Sequence, residues 1–256
     1  MLSAIACILF STLTLYIATY LLAVLKRDNS IVDSIWGLGF ILASMVSLSY
    51  SDFGPRNLLV FLLISLWGAR LSIHISARTK ESQEDFRYKR WREEWGNYWV
   101  IRSFIEIYLF QWFTLQLVAI PIFLLNTSPS SALTVLDALG ILIWFFGFIF
   151  ETVGDHQLTK FRSNPKNKLK IITSGLWRYT RHPNYFGEAT LWWGIALIAF
   201  AQSHNLLAFV GPLTINFLLI KVSGIPLLEE KLRGRVGWKE YASRTSPFFP
   251  RLPERK

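Results

Sequence analysis

The sequence predicts an all-α, polytopic integral membrane protein of about seven transmembrane helices, with the amino terminus outside and the carboxyl terminus cytoplasmic. Three observations carry that prediction. Only 17% of the 256 residues are charged while 52% are hydrophobic, against about 25% charged in an ordinary soluble domain. Seven apolar runs, at 3–25, 31–50, 57–76, 101–125, 132–153, 186–202 and 205–227, approach or exceed the roughly 20 residues that cross about 30 Å of hydrocarbon. The basic residues, finally, are confined to alternate connections between those runs.

That alternation sets the orientation. Lys26 and Arg27 follow the first run, six basic residues lie between Arg78 and Arg92, seven between Lys160 and Arg181, and eight from 229 onward. The other connections, near 51–56, 126–131 and 202–205, contain a single arginine. Positive charge marks the cytoplasmic face, and an odd number of crossings follows. In this setting the net charge of +10 reflects topology, and no nucleic-acid partner is expected. Nor is the first run a signal peptide, since it lacks a basic start and a small-residue cleavage site. The lone Cys7 excludes an internal disulfide, and four histidines without metal-ligand spacing leave no metal expected.

Taken in order, the first run ends at KRDNS and IVDSIWGLGF opens the second. Asp33 sits near its start, either facing the positive end of the helix dipole or making a polar contact inside a cavity. Gly37 and Gly39 allow close helix packing or approach of a ligand. In the third run Arg70 and His74, four apart, share one helical face and are candidates to line a polar cleft, with Arg78 a boundary charge. The segment EDFRYKRWREEWGNYW reads as an interfacial helix, its Tyr88, Trp91, Trp95, Tyr98 and Trp99 as membrane-surface anchors. Glu106 and Gln111 of the fourth run, five apart, line a cavity or bond a neighbouring helix. NTSPSS at 126–131 is a polar outer turn, and the sixth run is short enough to be tilted or re-entrant.

The second half is denser in chemistry. The fifth run leaves the membrane through DHQLTKFRSNPKNKLK, where SNPKNK breaks the helix and Lys166, Lys168 and Lys170 form a cationic loop. GLWRYTRHPNYFGE, at 175–188, then leads into LWWGIALIAF. Arginine offers paired donors to phosphate and lysine a less directional charge, so a basic cap here suits a phosphorylated cofactor. Asn184 and Glu188, four apart at the entrance of an apolar run, suit amide or ribose groups.

These residues carry a resemblance. SIVDSIWGLGF, FRSNPKNKLKIITSGLWRYTRHPNYFGE with its following WWG, and EEKLRGRVGWKEYASRTSPFFP, in that order, resemble the DUF1295 branch of the steroid 5-alpha-reductase superfamily. The resemblance spans nearly the whole chain and implies a single membrane domain, 1–256. In it, 1–125 supply substrate-side helices and 132–256 the cofactor-binding helices, cytoplasmic loops and tail. It implies NADPH as cofactor, with Asp155 and Arg162 as the acidic and basic pair ending the fifth helix and Asn184 and Glu188 as nicotinamide-nucleotide contacts. Arg178, Arg181, His182 and Tyr185 form the basic–aromatic approach, and the tail around Arg233, Arg235, Trp238 and Tyr241 closes over the cofactor.

The implied reaction is reduction of a carbon–carbon double bond conjugated to a ketone, in a steroid or another hydrophobic enone lipid. The site is expected to face the cytoplasm of a bacterial inner membrane, or of the endoplasmic reticulum in a eukaryote. Asp33, Arg70 and His74 are the catalytic candidates, and the glutamate–tyrosine pair of the animal enzymes has no clean counterpart. The RHP–Tyr–Glu arrangement also resembles that of isoprenylcysteine carboxyl methyltransferases, so methyl transfer from S-adenosylmethionine stays open, as does noncatalytic lipid binding.

Overall fold

The computed structural model describes residues 2–51, 53–80, 84–126 and 129–252, and every regular element among them is helical. Parts of two predicted features, residues 127–128 of the outer turn and 253–256 of the basic tail, lie outside the described residues. The chain divides into two units, Met1–Thr134 with Ile198–Gly211, and Val135–Leu197 with Pro212–Lys256.

The first unit opens with α1 (Leu2–Lys26), α2 (Ile31–Ser49) and α3 (Pro55–Lys80). α1 buries Ala4, Ile8, Thr12, Tyr16, Thr19 and Ala23, a stripe at helical spacing, and exposes Phe10, Leu21 and Leu25. Thr12 and Thr19 are tolerated inside because their hydroxyls bond back to the carbonyls of Ile8 and Leu15, at 2.7 and 2.8 Å. α2 and α3 meet backbone to backbone. A Cβ on Gly37 would lie 2.3 Å from the carbonyl oxygen of Gly68, and one on Gly68 would lie 2.7 Å from that of Gly37. Gly37 therefore serves helix packing.

α4 (Phe86–Trp95) is capped by Asp85, whose side chain accepts from Arg87 N. The predicted fourth run is not one continuous α-helix. It comprises α5 (Trp99–Arg102), a π-helical stretch Ser103–Leu109, α6 (Phe110–Val118) and α7 (Ile120–Leu124). Pro121 has no N–H to continue the ladder, so the helix is interrupted at Ala119. Gly211 fits against this break, where a Cβ would lie 2.5 Å from Val118 O.

Arg56, the single arginine among the outer connections, is fully buried. It donates to Ser131 O and Oγ at 3.2 and 2.6 Å and to Ala132 O at 2.8 Å. Arg56→Met leaves those carbonyls short of donors, at about 1–3 kcal/mol for each unsatisfied group. We expect a lower melting temperature in detergent than that of the wild type.

The second unit contains α8 (Val135–Arg162), most of α9 (Pro183–Ser203), most of α10 (Val210–Phe217), α11 (Ile225–Leu232) and α12 (Trp238–Arg244). Its α8 and α9 meet along glycines. Gly140, Gly147 and Gly154 repeat every seven residues on α8, as do Gly187 and Gly194 on α9, a spacing that keeps one seam facing the partner. A Cβ on Gly187 would lie 2.4 Å from Glu151 N, and one on Gly194 2.5 Å from Gly140 O. Two helices approach this closely only where side chains are absent.

Among the described residues five helices are long and apolar enough to cross a membrane: α1, α2, α3 through Arg78, α8, and Leu206–Leu232. The architecture is thus an apolar, polytopic helix bundle. The run at 101–125 is not among them: it breaks at Ala119, and the part before the break carries Arg102, Glu106, Gln111 and Gln116; the run at 186–202 lies in the 21-residue α9, where Asn184, Glu188 and Gln202 dilute the apolar content.

Candidate functional site

In the second unit the stretch 175–188 is a junction. Gly175 turns with a φ of 63°, a conformation that favours glycine, and Leu176 N donates to Gln157 Oε1 at 2.9 Å. Trp177 Nε1 donates to Gly154 O at 3.1 Å, fastening the turn to α8. Thr180 and Ser246 form a single bridge, Thr180 Oγ1 donates to Phe248 O, and Arg251 N donates to Tyr179 O. The carboxyl-terminal segment is thereby strapped onto the junction.

Arg181 is the centre of that strap. Its Nε donates to Glu229 Oε1 at 2.7 Å, and one terminal nitrogen donates to Ala242 O and Thr245 O at 2.8 and 2.6 Å. Its guanidinium also lies over the Trp238 ring, 5.7 Å from the centroid. His182 is buried, stacked on Tyr185, with Nε2 3.3 Å from Glu229 Oε1. Tyr241 donates its hydroxyl to Trp177 O at 2.6 Å, and burial pushes that phenol upward from its ordinary value. Arg181, His182 and Tyr241 thus spend their polar atoms inside the protein.

Burial also pushes the His182 imidazole below its ordinary value, against the pull of Glu229. The folded state therefore favours neutral His182, and unfolded chains bind the proton first as pH falls. The stability this contributes is complete above about 6.5, the ordinary histidine value, and declines as pH falls through it. We expect the melting temperature to drop between pH 7.5 and 5.5, and His182→Gln, which keeps a donor toward Glu229, to flatten that drop.

Beyond the strap, Pro183 starts α9. Gly154 lies where a Cβ would come within 3.2 Å of Asn184 N, so the absence of a side chain lets α8 approach the first turn of α9. Asn184 Nδ2 consequently donates to Asp155 Oδ1 at 3.1 Å. Asn184 Oδ1 is buried and has no partner. Glu188, one turn further along α9, and Glu151, one turn before Asp155 on α8, are also buried. Arg162, Lys166, Lys168, Lys170, Arg178 and Arg233 are exposed, while Arg235 is half-buried and donates to Lys170 O at 3.0 Å. Asp155 and Asn184 are thus brought into contact, whereas the cations other than Arg181 present charge to solvent. The glycine seam that makes this possible escaped the sequence reading; its seven-residue spacing was the available signal.

The first unit holds a separate polar cluster around Asp33. Its Oδ2 accepts from Arg87 at 2.8 Å, and its Oδ1 from the Tyr88 hydroxyl at 2.6 Å and from Gln111 Nε2 at 3.3 Å. Asp33 therefore lies in the first turn of α2 and is also the hub of an internal network. Tyr88 and Trp95, expected at the membrane surface, are buried; Tyr88 turns inward to reach Asp33. Burial, and after it the Asp33 carboxylate, push the Tyr88 phenol well above its ordinary value, so it stays protonated as a donor. Burial alone would push the Asp85 carboxyl up, but Arg87, 3.0 Å away, outweighs it and holds it low. Gln111 bonds a neighbouring helix, and Glu106 pairs with Arg102 at 2.6 Å on its own run. Arg70 and His74 lie one turn apart on α3, both half-buried.

The family model described as "Protein of unknown function (DUF1295)" matches residues 19–245. The chain belongs to the DUF1295 family. An uncharacterized protein of Schizosaccharomyces pombe is 25% identical over 267 residues, covering 90% of this chain and 75% of that protein. This DUF1295 chain is also 34% identical over 62 residues to 3-oxo-5-alpha-steroid 4-dehydrogenase 1 of Mus musculus, and to the same-named protein of Rattus norvegicus. Each of those matches covers 24% of either chain. No solved structure matches the DUF1295 chain significantly.

Proposed function

We propose that this protein is an NADPH-dependent membrane reductase acting on the carbon–carbon double bond of a conjugated ketone in a steroid or another enone lipid. The observation that carries the nucleotide site is Asn184: a half-buried side chain, fixed at its amide nitrogen by Asp155, with its buried oxygen left without a partner. An acceptor held this way suits the amide or ribose hydroxyls of a nicotinamide nucleotide. Glu188 adds an acceptor on the same face of α9. Arg162, Lys166, Lys170, Arg178, Arg233 and Arg235 supply charge for the phosphates. Arg181, His182 and Tyr241 position the segment that covers the nucleotide, with Tyr185 stacked beside His182.

When bound, NADPH supplies a hydride for the β-carbon of the enone. The chain's own task is to stabilise negative charge at the ketone oxygen with preorganised polar groups, for which Asp33, Arg70 and His74 are the candidates. In the proposed topology the chain crosses seven times, with the amino terminus outside. The nucleotide then faces the cytoplasm of a bacterial inner membrane, or of the endoplasmic reticulum in a eukaryote. Alternation of basic connections supports this orientation.

The test is parallel binding of NADPH and S-adenosylmethionine to the detergent-purified protein. NADPH binding that weakens in Arg162→Ala supports the reading; binding of the methyl donor alone overturns it. Loss of NADPH absorbance on adding an enone lipid then reports turnover, and Asp33→Asn or His74→Gln should lower it while leaving NADPH affinity in place.

A further inference from the structure

The tail segment SPFFPRL, 246–252, holds two large apolar side chains in the open: Phe249 is 68% and Leu252 79% exposed. Between them and the rest of the strap, Phe248 is turned inward and buried. Single apolar side chains on a surface need no explanation. These two do, because of what they adjoin.

α8 is long and apolar enough to cross a membrane, and it leaves Leu142, Phe146, Ile149 and Val153 exposed. Their spacing of three and four makes one stripe, and on a membrane-crossing helix such a stripe faces lipid. Beyond Val153 the exposed residues of α8 turn polar, at His156, Thr159 and Lys160. The Phe146 ring lies 6.4 Å from that of Phe186, and Phe150, one turn further along α8, lies 5.2 Å from it. Phe186 in turn meets Phe248 at 5.8 Å and Phe249 at 6.3 Å. Ring contacts therefore run unbroken from the lipid-facing stripe to the exposed tail.

The height along α8 agrees. Trp177 Nε1 donates to Gly154 O, and Pro183 adjoins Gly154 as well, so the junction sits where the stripe ends. Arg251 N donates to Tyr179 O of that junction, which holds Leu252 beside it. Pro247 and Pro250 have no N–H, so the segment brings fewer unpaired donors to a surface poor in water. Arg251, exposed between the two apolar side chains, suits lipid phosphates while its stem follows hydrocarbon.

We propose that Phe249 and Leu252 insert into the membrane leaflet at the Arg162 end of α8, with lipid acyl chains as their partner. The strap is then held from two sides, by Tyr179, Thr180 and Arg181 within the protein and by lipid outside it. Aromatic and aliphatic side chains beside a cation are the usual composition of a segment lying in the interface. This anchor is independent of the reaction the protein performs.

The test uses the full-length protein in nanodiscs of phosphatidylcholine and phosphatidylglycerol, without nucleotide. In a Cys7→Ser background, which removes the one native thiol, single cysteines are introduced as Phe146→Cys, Lys160→Cys, Phe249→Cys and Leu252→Cys and labelled with bimane. The first marks the lipid-facing stripe and the second the polar end of the same helix. The labels at 249 and 252 should lose emission to lipids brominated on their acyl chains, as the label at 146 does, and resist iodide, to which the label at 160 is open. Labels at 249 and 252 quenched by iodide alone put water there, and labels shielded from both quenchers put a second copy or the chain itself there. Either result overturns the anchor.

A second measurement needs no label. Leu252→Ser should speed hydrogen exchange across 246–252 in nanodiscs by roughly 10-fold, the scale of one aliphatic side chain moved from lipid to water. Exchange in α8 and α9 should stay as in wild type. Unchanged exchange in the segment overturns the anchor, and so does acceleration that spreads through both helices, since it reveals an internal packing role. Neither measurement involves NADPH, so the anchor and the reductase reading fail separately.

Discussion

Gly187→Ala will lower the melting temperature of the detergent-purified protein by roughly 6–12 °C, corresponding to about 3 kcal/mol or more. The added methyl would sit 2.4 Å from Glu151 N and 2.6 Å from Gly147 O, and both are backbone atoms of α8. No rotamer change relieves that overlap, so the two helices must separate along the seam that brings Asn184 to Asp155. NADPH affinity should fall with stability. Gly234→Ala is the control: nothing lies within 4 Å of its added methyl, and an exposed substitution of this kind changes stability by no more than about 0.5 kcal/mol. Equal melting temperatures for the two variants would show that α8 and α9 are not in backbone contact.

On the proposed reading, Asn184→Ala will weaken NADPH binding by roughly 2- to 12-fold, the equivalent of about 0.5–1.5 kcal/mol for a hydrogen bond between neutral groups. The substitution removes both the free acceptor and the amide that donates to Asp155 at 3.1 Å. Asn184→Asp should be worse, because it sets a second carboxylate against the first. Calorimetric titration with NADPH, alongside melting curves, separates this from misfolding: affinity should fall while the melting temperature stays within a few degrees of wild type. Full affinity in both variants would remove Asn184 from the nucleotide site.

The two predictions draw on different kinds of information. Asn184 and Glu188 stand out in the sequence because polar groups at the mouth of an apolar run are conspicuous, and their spacing of four puts them on one face. What Asn184 touches was not legible. Its partner lies 29 positions earlier, and contact depends on the helices crossing where Gly154 leaves room. Tyr88 shows the same limit from the other side. Among the aromatic and charged residues of an amphipathic stretch it resembles a surface anchor, yet it bonds Asp33, 55 positions away. Gln111 could be read as polar but not as the group that joins the same cluster.

The amino-acid sequence by itself determined that the chain is helical, apolar and polytopic, that its basic residues gather in alternate connections, and that its polar chemistry clusters near 155–188. Those properties are sums over neighbouring residues, and composition and periodicity report them directly. Only the tertiary structure decided that the fourth run breaks at Ala119, that Arg181 binds the tail, and that Phe249 of the tail meets Phe186 of α9. Such outcomes depend on the rotation and depth at which helices meet. Here glycine contacts along α2–α3 and α8–α9 set that geometry, through atoms whose distances no local pattern encodes.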